Sequence, residues 1–268
     1  MMFAAVAGVM LVLAAVEPRM VAIGERRIAV YCEGTAAGLP VVILVPAGGR
    51  TAKDWENVQP VVAGFTRVCS YDHANFGASD KAGVPLQSVD EIVTDLYGWL
   101  QASGEKGPFV FVSHSNSGIY LRRFESLHKR DVAGLVFVDS AHEEQALRLH
   151  ELDPAGPPPN ELTAKLGWYA ESGRKLDWRT DVPLVVLGRG LPAPRKARDG
   201  SNSQGGNRMT EEQFAEWDRI WTGFQKDLAR RSSKGEYRHA EKSSHWIQRD
   251  QPELVVRAIQ DVCRMARR

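Results

Sequence analysis

Four stretches of the chain are apolar without interruption: 41–45 (VVILV), 109–112 (FVFV), 135–138 (LVFV) and 184–187 (LVVL). A half-buried strand alternates, whereas an unbroken run of aliphatic and aromatic residues suits a strand covered on both faces of a parallel sheet. Residues 21–23 and 27–31 flank Gly24-Glu25 and predict an opening hairpin. Residues 67–71 and 237–241 are weaker strand candidates. Between the runs lie helical stretches with readable starts. Ser88 with Glu91, and Thr210 with Gln213, have the capping-box spacing and open helices reaching about Ala102 and about Arg230. Stretches 116–127 and 252–265 complete the set, the last with Pro252 in the first turn, where a missing N–H costs nothing. Strand and helix alternate over most of the chain. That pattern predicts an α/β domain with a mostly parallel central sheet of about 7–8 strands flanked by helices.

One stretch breaks the alternation. Residues 141–180 contain Asp153-Pro154 and Pro157-Pro158-Pro159, then a short helical segment with Trp168 and Tyr169, then Trp178. An insertion between sheet strands that carries its own aromatics reads as a small cap over a site, with the core formed by 19–140 and 181–268. Trp168 and Tyr169, with Trp178 and with Trp246 beside His245, are candidate walls of an apolar substrate pocket. Residues 191–207, rich in Pro, Gly, Ser and Arg, read as a loop. At the other end, the first sixteen residues carry no charged side chain and run into Glu17-Pro18-Arg19. The run is shorter than the roughly 20 residues of a spanning helix and ends in Ala14-Ala15, as a signal peptide does. Segment 1–18 is therefore expected to direct export, to the periplasm or outside, or to remain as an anchor associating with the membrane through residues 1–16.

Charge narrows the partners. Lys+Arg of 34 against Asp+Glu of 33 leaves a net charge of +1, so no global field attracts nucleic acid, and a small-molecule substrate is expected. The three cysteines, Cys32, Cys69 and Cys263, have no CxxC spacing, and no metal site is expected. Cys32 and Cys69 lie near the ends of two predicted strands in the same half of the sheet. They are either a bonded pair or two small buried residues.

The chemistry concentrates at Ser113-His114-Ser115-Asn116-Ser117-Gly118, after a buried strand and before a helix. A nucleophile elbow is so tight that the second neighbours of the nucleophile must be small. Glycine is usual in that G-x-S-x-G pattern, and both places are serine here. Such an elbow presents the Ser115 hydroxyl at the carboxyl end of the sheet and makes the Asn116 amide one oxyanion donor. Gly49, in Pro46-Ala47-Gly48-Gly49 after the first buried run, is expected to supply the second. Serine needs a base, and His245, past the last strand and before the final helix, returns to the same edge of the sheet. Asp139 ends the predicted strand 135–138 and is the expected acid. A strand end holds a carboxylate against an imidazole better than the loop carrying Asp199, the main alternative; Glu143 and Glu144 are outsiders.

Residues 41–49, the segment 68–80 (VCSYDHANFGASD), the elbow, and Ser244-His245-Trp246 with Asp250-Gln251-Pro252 together resemble the α/β-hydrolase superfamily over about residues 21–265. The chain departs from that pattern twice. His73 stands where such proteins usually have Arg after Tyr-Asp, and Ala47-Gly48 stands for the usual His-Gly. The resemblance implies a serine hydrolase with a Ser115-Asp139-His245 triad, acting through an acyl-enzyme without metal, flavin or nucleotide. A serine in the elbow speaks against the dehalogenases and epoxide hydrolases of the superfamily, which use aspartate there. An exported member would suit a Cys32–Cys69 bond, and His114 matches the residue usually found before the nucleophile, where it packs. Ester hydrolysis demands least beyond the triad. Aminopeptidase, lactonase and C–C hydrolase chemistry share the scaffold, and a non-catalytic binding protein is the alternative from another class.

Overall fold

The computed structural model describes residues 17–156, 177–192 and 209–267. Most of segment 1–18, the cap residues Trp168 and Tyr169, and Asp199 lie outside them. Eight strands form one sheet: β1 (Arg19–Ile23), β2 (Arg26–Glu33), β3 (Val42–Val45), β4 (Val68–Tyr71), β5 (Phe109–His114), β6 (Val132–Val138), β7 (Leu184–Arg189) and β8 (Gly235–Ala240). Their spatial order is β1-β2-β4-β3-β5-β6-β7-β8. The β1–β2 hairpin joins β4 antiparallel and every other pairing is parallel. Both weak strand candidates are strands, stabilised by neighbours that a local pattern does not reveal.

The apolar runs are buried on both faces, as their lack of alternation requires. Ile43, Val45, Phe111, Leu135 and Phe137 point into one core cluster, and their neighbours Val42, Leu44, Val110, Val112, Val136 and Val138 into the other. The described helices are α1 (Gln59–Ala63), α2 (Val89–Ser103), α3 (Ser117–Leu127), α4 (Gln145–Leu152), α5 (Glu211–Arg230), α6 (Ile247–Asp250) and α7 (Pro252–Ala266). Both capping boxes form: Ser88 and Glu91 close reciprocally at the start of α2, and Thr210 and Gln213 do so at α5. Helices α2 and α3 supply Trp99, Leu96 and Phe124 to the first cluster, and α7 supplies Val255, Ile259 and Val262 to the second. Among the described residues no helix is long and apolar enough to cross a membrane.

Strand order positions the site. After β3 the chain builds β4 on one side and then crosses to build β5 on the other, so the loops leaving β3 and β5 diverge and leave a crevice at their carboxyl ends.

Cys32 and Cys69 face each other directly in the β2–β4 register and are bonded, while Cys263 is free, buried in the second cluster, its thiol pushed up to about 12 by burial. Thiol titration should find no reactive thiol in the native protein, one after unfolding without reductant and three after reduction. The bond closes a separation of 37 residues, so Cys32→Ser should lower the unfolding free energy by about 3–4 kcal/mol on a chain-entropy account.

Candidate active site

Ser115 leaves β5 with φ 56, a left-handed backbone that a serine adopts at a cost of about 1–3 kcal/mol. Hydrogen bonds hold it there. Its N–H donates to Val138 O (3.2 Å), and its carbonyl accepts from Ala141 (2.9 Å) and Gly118 (3.2 Å), stitching the turn to the end of β6 and the start of α3. The flanking serines are accommodated because their buried hydroxyls are satisfied. Ser117 Oγ accepts the His114 N–H (2.9 Å) and lies 3.0 Å from Val45 O, while Ser113 Oγ lies 3.1 Å from Ser140 Oγ. The steric demand for glycine falls one place later: a Cβ on Gly118 would sit 2.6 Å from Ser140 Oγ.

Asp139, at the end of β6, is wholly buried. Four N–H groups fill its two oxygens. Oδ1 accepts from Trp221 Nε1 (2.7 Å) and Arg189 N (3.1 Å), and Oδ2 accepts from His245 Nδ1 (2.7 Å) and Arg189 Nη1 (3.2 Å). Burial by itself would raise the pKa of this carboxyl. The hydrogen bond from His245, the Arg189 charge and the indole N–H outweigh it and hold the group down at about 2. With Nδ1 committed to the carboxylate, His245 has Nε2 left as its proton acceptor. Beneath it, His114 is fully buried and donates from Nε2 to the His245 carbonyl (2.9 Å), and their rings lie 4.6 Å apart. Burial pushes the His114 pKa well down, so it packs as a neutral ring.

The loop after β3 faces the elbow. Gly49 has φ 75, and a Cβ on Gly48 would meet the Tyr120 hydroxyl at 2.6 Å and the Asn116 side-chain Nδ2 at 3.4 Å. His73, the residue that replaces the family's arginine, donates from Nε2 to Pro46 O (3.0 Å) and so pins this loop; burial lowers its pKa. Asp72 fixes the next segment, accepting from Ala52 N, Ala78 N and the Tyr31 hydroxyl. A cavity of about 480 Å³ opens here, bounded by Gly49, Phe76, Leu86, Ile92, Asn116 and Tyr120 among others, and none of its described lining residues carries a formal charge.

The sequence-predicted residues are thus brought together in part. Ser115 is bonded through its backbone to the end of β6, where Asp139 meets His245, and Gly49 and Asn116 share one cavity wall. The Trp246 ring carries two cations, with the guanidinium carbons of Arg50 and Arg249 at 4.9 Å and 4.5 Å from its centroid. Trp178 belongs to the first core cluster. It is buried against Phe137 and donates to Glu125 Oε2 (2.7 Å), because its indole N–H finds a carboxylate on α3. Glu143 is buried between Arg122 and Arg231. Sequence reasoning missed Arg189, Trp221 and Tyr120. Trp221 reads locally as helix core, four residues from Trp217, and is that as well; Arg189 is the last residue of β7.

A model of the alpha/beta hydrolase family matches residues 42–258. The chain is 37% identical over 93 residues to an uncharacterised protein of Schizosaccharomyces pombe, a match covering 33% of this chain and 17% of that protein. It therefore spans less than a fifth of that relative's length. Over 230 residues it is 25% identical to the uncharacterised protein YqjL of Bacillus subtilis, covering 83% of each. Among solved structures, a thermophilic esterase from Thermogutta terrifontis superposes with TM-score 0.63 at 17% identity, over 95% of this chain and all of that one, a likeness of fold.

The depressed Asp139 pKa carries a stability prediction. A carboxyl held at about 2 in the folded chain against 3.8 otherwise contributes on the order of 2 kcal/mol, fully present above pH 3.8 and lost as pH falls toward 2. In urea unfolding, the advantage of wild type over Asp139→Asn should shrink by about that amount between pH 5 and pH 2; a pH-independent difference would contradict it.

Proposed function

Because the chain belongs to the alpha/beta hydrolase family, we propose that it is a serine hydrolase cleaving a small, uncharged carboxylic ester through an acyl-enzyme. The observation that carries this reading is the His245 imidazole fastened through Nδ1 to the buried Asp139, on the sheet edge where the elbow turns out Ser115. Ser115 Oγ attacks the ester carbonyl as its proton passes to His245 Nε2. The amides of Gly49 and Asn116 donate to the oxyanion, Asp139 stabilises the imidazolium, and His245 returns the proton to the departing alkoxide. Water, deprotonated by the same imidazole, then attacks the acyl-enzyme and releases the acid.

The uncharged cavity supports a neutral substrate group. An aminopeptidase would need a carboxylate to hold an ammonium group, and Glu143, next to the elbow segment, is already neutralised by two arginines. Lactone and C–C bond hydrolysis would use the same machinery on other neutral carbonyls. A binding protein would keep the cavity and lack turnover. The Cys32–Cys69 bond supports an oxidising compartment, in line with export.

Purified protein should label with a fluorophosphonate probe and hydrolyse short-chain p-nitrophenyl esters, and both should vanish in Ser115→Ala. His245→Ala and Asp139→Asn should lower kcat by about 10³-fold or more with KM little changed. Labelling that survives Ser115→Ala, or a wild type that does not label, would remove the assigned nucleophile.

A further inference from the structure

Asp54 lies outside the triad, in the short turn Ala52–Trp55 that follows the glycine loop, and is 2% exposed. One of its oxygens, Oδ1, takes three N–H donors: Arg50 Nε (3.2 Å), Arg50 Nη2 (3.1 Å) and Arg249 Nη2 (2.9 Å). Its other oxygen is buried without a hydrogen bond. Two guanidiniums thus converge on one oxygen of a buried carboxylate.

The two arginines belong to different parts of the site. Arg50 closes the glycine loop, its N–H donating to Ala47 O (3.1 Å). Arg249 belongs to α6, the helix that begins two residues after His245, and its N–H donates to Trp246 O (2.8 Å). Both guanidiniums lie against the Trp246 ring, which is 4.8 Å from the His114 ring and 5.6 Å from the His245 ring. Two cations against the ring restrain the indole through its π-system. One buried carboxylate thus ties the loop after β3 to the loop after β8.

We propose that Asp54 is a positioning residue for hydrolysis: through Arg50, Trp246 and Arg249 it sets the glycine loop and the His245 imidazole relative to each other. The inference rests on the serine-hydrolase reading above. None of these four residues lines the uncharged cavity, so the clamp acts on the geometry of reaction and leaves substrate affinity alone. A carboxylate serving only to stabilise the turn would lower the melting temperature and leave turnover per folded molecule untouched.

The test is steady-state hydrolysis of a p-nitrophenyl ester by Asp54→Asn, Trp246→Leu and the double variant, each normalised to active sites counted by fluorophosphonate labelling. Asp54→Asn should lose about 10–100-fold in kcat with KM within about twofold of wild type. The double variant should be no slower than the slower single one, because both changes break the same linkage. Should Asp54→Asn not fold, Arg249→Met at the partly exposed end of the clamp serves instead, with a several-fold loss of kcat expected. Unchanged kcat per active site, or penalties that multiply in the double variant, would overturn the inference. A wild type that neither labels nor turns over would overturn the hydrolase reading itself, and normal wild-type labelling beside an unimpaired Asp54→Asn overturns the clamp alone.

Discussion

A carboxylate removed from water remains an anion only when its lone pairs are filled, and Asp139 fills them from three separate parts of the chain. Arg189 comes from the end of β7, Trp221 from α5 and His245 from the loop after β8. Each partner would be poorly placed without the others. The Arg189 side chain is itself buried, shares its charge with Asp218 and lies over the Trp221 ring. The carboxyl-terminal half of the sheet and the helix beside it are thereby organised around one buried charge, and the orientation of His245 is a consequence of that solution.

The other half of the site depends on backbone geometry. Ser115 accepts a left-handed conformation because the ends of β6 and α3 hold its peptide groups, and Gly118 lets the helix close onto Ser140. The flanking serines show what the usual glycines are needed for. A hydroxymethyl group fits at both places provided each buried hydroxyl has a partner, and Val45, His114 and Ser140 provide them. The missing histidine of the glycine loop has a comparable counterpart in His73, which reaches the same loop from the neighbouring strand end.

Local pattern made most of the fold legible. Unbroken apolar runs mark strands covered on both faces, and capping boxes mark where α2 and α5 begin, because both signals lie within a few residues of one another. The elbow was legible for the same reason: strand, small residues and helix are contiguous. The surroundings of Asp139 were not, since its arginine and tryptophan donors lie 50 and 82 residues away and no spacing encodes them. Trp178 shows the limit in reverse. An indole in an aromatic-bearing insertion reads as pocket wall, yet a single distant carboxylate, Glu125, draws it into the core. Trp168, Tyr169 and Asp199 lie outside the described residues.

The order in which the parts occur along the polypeptide has a consequence for biosynthesis. The strands that frame the elbow, β3, β5 and β6, end by Val138, whereas Arg189, Trp221 and His245 all follow them. A ribosome therefore delivers Ser115 and Asp139 long before His245, and the Asp139 carboxylate lacks its imidazole partner until β8 is laid against β7. The buried carboxylate and the imidazole it orients are therefore joined only when the sheet is complete.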